Sequence, residues 1–514
     1  MPVIVWREGE TEQTTMETVG HWKTEEKANS PQSSHGPQKP RNRLNFHILD
    51  SINNGEVDDD SDSDSDSDES DKMEPENSQV TVADAAAKIN ASDLADFLAK
   101  TTASYESQQR IQLKLFADYF GREFASTSAT QFPWMKLFRE SSLGDMVDIP
   151  ISHVSKAVYR TSIEWLNQRS YEALGSFVLR SLNIILSDID RSQKTGKKSK
   201  EVVQQPPKSR VAIFVVLTMV LRQKPEVLNI LLPVMKEDPK YQGQDKLPLL
   251  IWLIAQACQG YLTVGLFMWV HLLLPMLSSS NSHSRDLILK LVERILSAPK
   301  ARYILLNVVV WKGERVVPPW ALELLMRITF PEDSARVETT ERFEAVYPTL
   351  KEVALAGSPD SKAMKQITPQ ILQFALKAAG EGIPELSKEA SNIFIWCLTQ
   401  NQDCYKQWDN LYSDNIQASG VVLRKLNDEW KMHNVKKSSL QYVKNTLNSF
   451  RQKNKKALTI MEDDQACASF MDAEKYRILI SRRLSSSSWG CGCCKSLVYV
   501  AVAVGAAVFM LQRI

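Results

Sequence analysis

Between Val80 and Leu484, apolar residues recur at spacings of three and four, and short breaks rich in proline, glycine or serine interrupt them. This spacing places apolar side chains on one face of an α-helix, whereas a half-buried strand needs alternation with a period of two. No rhythm of strands alternating with helices accompanies it, so a parallel sheet is not expected. The sequence therefore predicts an all-α fold, an irregular α-solenoid of HEAT/ARM-like helix pairs without a strict repeat.

The spacing also sets the limits of individual helices. Twelve are predicted: Ser92 to Lys100, Gln108 to Phe124, Ser152 to Gln168, Tyr171 to Ile189, Val211 to Arg222, Leu247 to Cys258, Leu262 to Leu274, Arg285 to Leu296, Pro319 to Thr329, Thr340 to Leu355, Pro369 to Ala379 and Pro384 to Leu398. Serine is a favoured N-cap and proline a favoured first-turn residue. The expected N-caps are Ser92, Ser152 and Ser284, and the expected first-turn prolines are Pro319, Pro369 and Pro384.

One segment carries a strand signal. In Ile304 to Val317, two β-branched runs flank Lys312 and Gly313, a pattern that fits a hairpin. A helix followed by a loop is favoured over the hairpin.

The near-neutral total charge conceals a polarity along the chain. The 62 basic and 61 acidic residues sum to +1, yet twelve acidic residues and one lysine lie between Glu56 and Glu76. The sequence predicts a disordered acidic N-terminal tail at 1–79, the helical solenoid at 80–420 and basic amphipathic helices at 421–484. A Ser/Cys-rich juxtamembrane linker at 485–496 and a transmembrane anchor at 497–511 are expected to follow.

The predicted anchor, Leu497 to Leu511, contains no charged residue and is flanked by Lys495 and Arg513. As a helix it would span about 22 Å, which suits the thinner endoplasmic reticulum bilayer. The basic residues on the preceding side are Arg482, Arg483 and Lys495. By the positive-inside bias, they place the bulk of the chain in the cytosol. A terminal solenoid helix buried against its neighbour is the alternative.

Three cysteines, Cys491, Cys493 and Cys494, precede this apolar segment directly. S-acylation is one interpretation, because an acyl chain attached there would enter the bilayer beside the helix. Unmodified thiols are an equally weighted alternative. A zinc site needs four ligands, and the sequence has no histidine nearby.

In the acidic tail, Ser61, Ser63 and Ser65 each have aspartate at positions +1 and +3. This context suits phosphorylation by an acid-directed kinase, which would add further negative charge. A solvated spacer is the simpler alternative.

Two further segments raise the question of membrane contact. The uncharged stretch Leu247 to Ser284 is interrupted by polar residues and Pro275, which favours two core helices over a membrane-dipping segment. Arg424 to Lys456 has a local charge of +8 beside apolar residues at helical spacing. Such a helix either lies on an anionic membrane surface or exposes a solvated basic face.

Signatures of enzymes and cofactor sites are missing from the sequence: it contains no phosphate loop, no G-x-S-x-G, no H-E-x-x-H and no dinucleotide fingerprint. We therefore expect a non-enzymatic protein without catalytic residues, cofactor, metal or small-molecule substrate. No nucleic-acid-binding motif is recognisable, so nucleic acid is not an expected partner.

Four stretches together resemble the transmembrane protein 214 family, in order and over about 340 residues. They are Asp93 to Phe124, Trp252 to Leu277, Tyr347 to Leu372 and Cys397 to Trp430. The resemblance implies a non-enzymatic endoplasmic reticulum membrane protein, whose described members are linked to stress-induced cell death by holding a procaspase at the membrane.

Two hypotheses follow. In the leading one, the chain is a tail-anchored adaptor whose helical array projects into the cytosol and binds an unidentified protein partner. In the other, it is a trafficking or coat-like scaffold that reaches membranes through its basic helix.

Overall fold

A computed structural model describes residues 80–195, 210–279, 281–311, 313–429, 439–460 and 464–486. Within these ranges the protein has twenty-one α-helices and one short β-hairpin, which confirms the predicted all-α class. Each of the twelve predicted helices overlaps a helix of the structure. The predicted tail, the anchor and residues 487–496 of the predicted linker lie outside the described residues, while Ser485 and Ser486 of that linker are the last residues of a helix.

Nine helices form the first part of the described fold. They are α1 Val82–Ala87, α2 Ala91–Ser104, α3 Gln109–Glu123, α4 Trp134–Glu140, α5 Leu143–Asp148, α6 Lys156–Asn167, α7 Tyr171–Thr195, α8 Val211–Gln223 and α9 Val227–Glu237. A 3₁₀ turn, Ile151–His153, precedes α6, and a second one, Pro239–Tyr241, follows α9. The helix α8 is buried on almost every side, and Phe214 on it contacts the rings of Phe132, Trp134 and Phe138.

The middle part contains α10 Leu247–Gly260, α11 Leu262–Met268, α12 Ser282–Leu296, α13 Ala301–Asn307, α14 Pro319–Thr329 and α15 Glu338–Leu355. A π-helical turn, Trp269–Leu273, and a 3₁₀ turn, Leu274–Ser279, continue α11, and a further 3₁₀ turn, Asp333–Ala335, precedes α15. The uncharged stretch is thus divided after Gly260, as predicted, and its helices are buried within the protein. The interior of α10 includes the fully buried Trp252.

The last part contains α16 Lys362–Ala379, α17 Pro384–Gln400, α18 Asp403–Leu411, α19 Ile416–Asp428, α20 Leu440–Ile460 and α21 Asp464–Ser486. The basic segment is therefore carried by two separate helices, α19 and α20. Helix α19 runs across position 420, where the sequence pattern divides solenoid from basic helices.

Contacts between helices connect elements that are close along the chain. Helix α8 packs on α3, α6 and α10, helix α12 packs on α10 and α15, and helix α16 packs on α14, α17 and α18. At the carboxyl end, α19 packs on α16, α17 and α21, while α20 packs on α18 and α21. Each group of helices thus buries apolar residues against the groups that are next to it along the chain.

The three predicted serine N-caps are wrong. The side chains of Asn90 and Asn281 accept hydrogen bonds from the backbone amides of Ser92 and Ser284, so asparagine caps α2 and α12. In α6 the cap is Ser155, which accepts from the amide of Val158. Asparagine and serine are equally good caps, and the residue type does not decide between neighbouring candidates.

Two of the three first-turn prolines are confirmed, since Pro319 begins α14 and Pro384 begins α17. Pro369 instead lies inside α16, which begins after the N-cap Ser361. A proline inside a helix removes one hydrogen bond and costs about 3 kcal/mol. The buried apolar side chains on both sides of it, among them Met364 and Ile371, explain why the helix continues.

The ambiguous segment Ile304 to Val317 combines both interpretations. The helix α13 ends at Asn307, and strands β1 Val310–Trp311 and β2 Glu314–Arg315 then pair in antiparallel register. The favoured loop after the helix is thus a small hairpin. Gly313 in its turn has φ of +87°, a conformation that favours glycine.

Candidate functional site

The basic carboxyl-terminal helices are the predicted functional region that the structure describes best. Helices α20 and α21 are separated by three residues, 461–463, and pack on each other. The Asn454 side-chain amide donates a hydrogen bond of 2.7 Å to the Glu474 carboxylate, linking the two helices about two turns before the connection and about three turns after it. The two helices therefore form an antiparallel pair.

The apolar face of α20 packs on helix α18 and on Tyr412, the residue that follows α18. Phe450 stacks on Tyr412, with ring centroids 3.7 Å apart, and meets Trp408 edge-on at 5.0 Å. The Tyr412 hydroxyl donates a 3.0 Å hydrogen bond to Asn454. Burial raises the pKa of Tyr412 above its usual value, so this hydroxyl stays protonated at neutral pH. These contacts determine which face of α20 points outward.

The outward face of α20 is basic. It carries the exposed residues Lys444, Arg451, Lys455 and Lys456, and the helix contains no aspartate or glutamate. Within the described residues, none of these four cations has a carboxylate oxygen within 4 Å. Lys453, on the flank of the same helix, forms a 2.9 Å ion pair with Asp409. Thus the structure separates one paired cation from four unpaired ones.

On the neighbouring helix α21, the Glu474 carboxylate is already bound on the inner side. Glu474 accepts hydrogen bonds of 2.6 and 2.8 Å from Arg477, which is only 8% exposed, and one from Asn454. Burial alone would raise the pKa of Glu474, but the hydrogen bonds from Arg477 and Asn454 outweigh it and lower that pKa. Glu474 is therefore engaged between the helices, although its charge still acts on Arg451 from a distance.

Only two of the predicted site residues lie in the described part, both at the end of α21. Arg482 is exposed, and the Arg483 guanidinium donates a hydrogen bond to the backbone carbonyl of Asn427 at the end of α19. Arg483 therefore also ties α21 to α19. The remaining predicted residues lie outside the described ranges: Ser61, Ser63, Ser65, Cys491, Cys493, Cys494, Lys495, Arg513 and the segment Leu497 to Leu511. Among the described helices, none has the length and apolar character needed to cross a membrane.

From the sequence, Arg424 to Lys456 was interpreted as one basic segment. This interpretation missed that some of its cations form ion pairs and others do not. Lys425 is paired with Glu429 at 2.8 Å, as Lys453 is with Asp409. No acidic residue lies between Leu440 and Ile460, so no cation of α20 can pair with a carboxylate of its own helix. That absence is visible in the sequence and marks α20 as the helix with unpaired cations, but it does not reveal that Lys453 pairs with the distant Asp409.

The described residues contain no group of three or more side chains placed to hold a metal ion. Cys258, Cys397 and Cys404 form no disulfide, and Cys397 and Cys404 are buried. Burial raises the pKa of Cys258 to about 12 and that of Cys404 to about 11. Both thiols are therefore protonated at neutral pH and poor nucleophiles.

Comparisons with known proteins identify several relatives of this chain. Transmembrane protein 214 of Homo sapiens is 22% identical over 384 residues, which cover 74% of this chain and 50% of the human protein. The Bos taurus protein of the same name is 24% identical over 336 residues, covering 63% of this chain and 44% of its own length. Transmembrane protein 214-B of Xenopus laevis is 24% identical over 202 residues, covering 39% and 27%.

The chain thus spans about half the length of the curated relatives it matches. No solved structure matches it. A family model described as "TMEM214, C-terminal, caspase 4 activator" matches residues 8–510. Since this match covers nearly every residue, the chain belongs to the transmembrane protein 214 family.

Proposed function

We propose that this protein is a non-enzymatic helical scaffold, held on the endoplasmic reticulum membrane and presenting its helices to protein partners in the cytosol. The family match across residues 8–510 is the main support for the proposal, because it makes the chain a member of the transmembrane protein 214 family. The apolar segment Leu497 to Leu511 supplies the anchor, with Lys495 and Arg513 at its ends. The short length of this segment favours the thin reticulum bilayer.

The binding part of the scaffold is the helical array, arranged as an irregular α-solenoid. The contacts support this arrangement: α8 with α10, α10 with α12, α14 with α16 and α16 with α18 connect each helix to near neighbours in sequence. Arrays of this kind present extended surfaces that bind other proteins. The non-enzymatic part of the proposal depends on the lack of catalytic signatures in the sequence.

We take the protein partner to be caspase 4 or its proenzyme. The support is the description of the family model, which names a caspase 4 activator. In the proposed mechanism, the anchored array concentrates the proenzyme at the membrane surface, so that neighbouring copies meet more often. The output would be cell death in response to endoplasmic reticulum stress.

The anchor is tested with a reporter that carries residues 480–514. We expect the reporter to sediment with reticulum membranes and to resist carbonate extraction. A matched reporter with Val502→Arg and Val504→Arg should become extractable, because two arginines near the centre of the segment oppose insertion by about 5 to 7 kcal/mol. Release of the unsubstituted reporter by carbonate would overturn the anchor.

The partner is tested by proximity labelling with the full chain on the cytosolic face. The expected result is enrichment of caspase 4 during reticulum stress, with loss of that enrichment in the Val502→Arg, Val504→Arg chain. Labelling that is equal with and without the intact anchor segment would contradict a role for membrane recruitment.

A further inference from the structure

The exposed face of α20 has a geometry that extends the proposed function. Lys444, Arg451 and Lys455 follow one another at spacings of seven and four, which places them along one line of the helix. Leu458 continues the line three residues later and is 39% exposed. The line from Lys444 to Leu458 is about 21 Å long at 1.5 Å per residue. It is a basic strip that ends in an apolar residue.

Two more apolar side chains border this strip at the ends of the helix. Ile460 is 68% exposed and Tyr442 is 44% exposed. Apart from Leu458 and Thr459, the exposed residues between them are amides and cations, among them Asn448 at the centre of the strip. Exposed apolar residues beside unpaired cations are typical of helices that lie at a membrane interface, where the cations meet headgroups and the apolar groups reach the acyl boundary.

The path of the chain brings this face near the proposed membrane anchor. Helix α21 ends at Ser486, and ten residues, 487–496, separate it from Leu497. Ten residues reach at most about 35 Å. Because α20 and α21 are antiparallel, the end of α21 lies beside the start of α20, which carries Lys444. An anchored Leu497 to Leu511 would therefore hold the basic strip within reach of the bilayer surface.

We propose that the strip formed by Lys444, Arg451, Lys455 and Leu458 docks on an anionic lipid surface and lays the helical array against the membrane. This inference rests on the proposed membrane anchoring, which sets the distance. Charge complementarity selects the lipid, since the strip has no acidic residue of its own and the cytosolic leaflet carries the negative headgroups. A flat line of cations fits a plane of headgroups along its whole length.

The test uses the full chain inserted into lipid nanodiscs, with a photocrosslinking residue replacing Asn448 at the centre of the strip. The nanodiscs contain phosphatidylcholine alone or phosphatidylcholine with phosphatidylserine, and the measured quantity is the fraction of protein crosslinked to lipid. We expect a several-fold excess with phosphatidylserine, which falls as salt is added. A crosslinker replacing the exposed Gln373 on α16 should show no such excess.

The cations are tested by the triple variant Lys444→Gln, Arg451→Gln, Lys455→Gln. Its docking equilibrium should fall roughly a hundredfold, so that crosslinking returns to the phosphatidylcholine level. The matched control removes three exposed lysines of another helix, with Lys362→Gln, Lys365→Gln and Lys377→Gln on α16, and should keep the excess. Thermal unfolding of both variants verifies that the helices remain folded.

Failure of this inference differs from failure of the anchor. A chain that does not enter nanodiscs at all would contradict the proposed anchoring. A chain that enters but shows no phosphatidylserine excess, or loses it equally in both triple variants, would overturn the docking strip. Crosslinking of residue 448 to an added acidic peptide, without any dependence on phosphatidylserine, would assign the strip to an acidic protein instead and would overturn the lipid proposal.

Discussion

At Gly260 the end of α10 lies against the backbone of α8 with no room for a side chain. A Cβ atom at this position would overlap the carbonyl oxygen of Arg222. We expect Gly260→Ala to lower the free energy of unfolding by about 1 to 3 kcal/mol, because one of the two backbones must move. The control is Gly121→Ala on the exposed side of α3, where a Cβ meets nothing within 4 Å.

The free energy of unfolding of both variants is measured by chemical denaturation. Gly121→Ala should leave stability unchanged or raise it by up to about 1 kcal/mol, since alanine is the better helix former. Equal effects of the two substitutions would show that the contact between Gly260 and Arg222 does not limit the packing of α8 on α10.

His271 predicts a pH dependence of stability. Its ring stacks on Phe267 at 4.1 Å, and Nε2 donates to the Arg315 carbonyl oxygen at 3.4 Å. Burial lowers the pKa of His271 below its ordinary value of 6.5, although the hydrogen bond to Arg315 and the charge of Glu314 oppose the shift. The unfolded chain therefore takes up the proton at a higher pH than the folded chain does, and stability falls as the pH drops through 6.5.

In His271→Gln this part of the pH dependence should disappear, because glutamine does not titrate. Urea unfolding at pH 7.5 and pH 5.5 measures it. The control Trp320→Phe alters a ring that contacts the imidazole at 5.7 Å but retains the titrating group, so its pH dependence should persist. The prediction would be contradicted if the free energy of unfolding of His271→Gln still differed between the two pH values as much as that of the unsubstituted protein.

At the scale of single elements, the ion pairs around Arg342 connect α12 to α15. The Arg342 guanidinium donates to Glu293 at 2.5 and 2.8 Å and to Asp286 at 2.6 Å. Burial would raise the pKa of Asp286, but the hydrogen bonds from Lys290 and Arg342 outweigh it and lower that pKa. We expect Arg342→Met to cost about 1 to 2 kcal/mol, since all three partners are less than half exposed.

The control for this network is Arg110→Met, which removes an ion pair with Glu172 in which the side chains are 54% and 81% exposed. Exposed pairs are worth about 0 to 1 kcal/mol, so this change should be small. The comparison is made by urea denaturation at low and high salt. If Arg110→Met lowers the free energy of unfolding as much as Arg342→Met does, the half-buried network around Arg342 contributes no more stability than an exposed ion pair.

Element type was predictable from the sequence where apolar spacing is regular, as in α3 and α7. Element limits were not, because several equivalent caps lie close together: Asn90 rather than Ser92 caps α2. The start of α16 was missed because buried residues before Pro369 continue the helix through it. Short helices such as α4 and α9 were missed because their apolar pattern is only two to three turns long.

The candidate site was predictable in composition but not in geometry. The sequence located the basic segment, yet only the packing of Phe450 on Tyr412 and Trp408 shows which face of α20 is outward. Likewise, the pairing of Lys453 with Asp409 depends on residues 44 positions apart, which no local pattern reveals. Tertiary contacts of this kind distinguish a paired cation from a free one.

At the scale of the whole molecule, contacts between near neighbours predict that destabilisation stays local. Phe214 packs on Trp134 and Trp252 in one aromatic cluster, while Phe394 packs on Trp408 in another cluster, which is linked through Trp408 to α20. In a globule with one shared core, weakening either cluster would lower the stability of every helix. In an array, each helix depends mainly on those beside it.

Phe214→Leu and Phe394→Leu test this difference, each with an expected loss on the order of 1 to 2 kcal/mol. Hydrogen exchange measured by mass spectrometry should show faster exchange in α4, α8 and α10 for Phe214→Leu, with α17 to α20 unchanged. Phe394→Leu should give the converse pattern, because its ring contacts belong to α17, α18 and, through Trp408, α20. Faster exchange in all helices for both variants would show that the protein has a single cooperative core and would contradict the solenoid. The extended binding surface expected of a solenoid would then lose its structural basis.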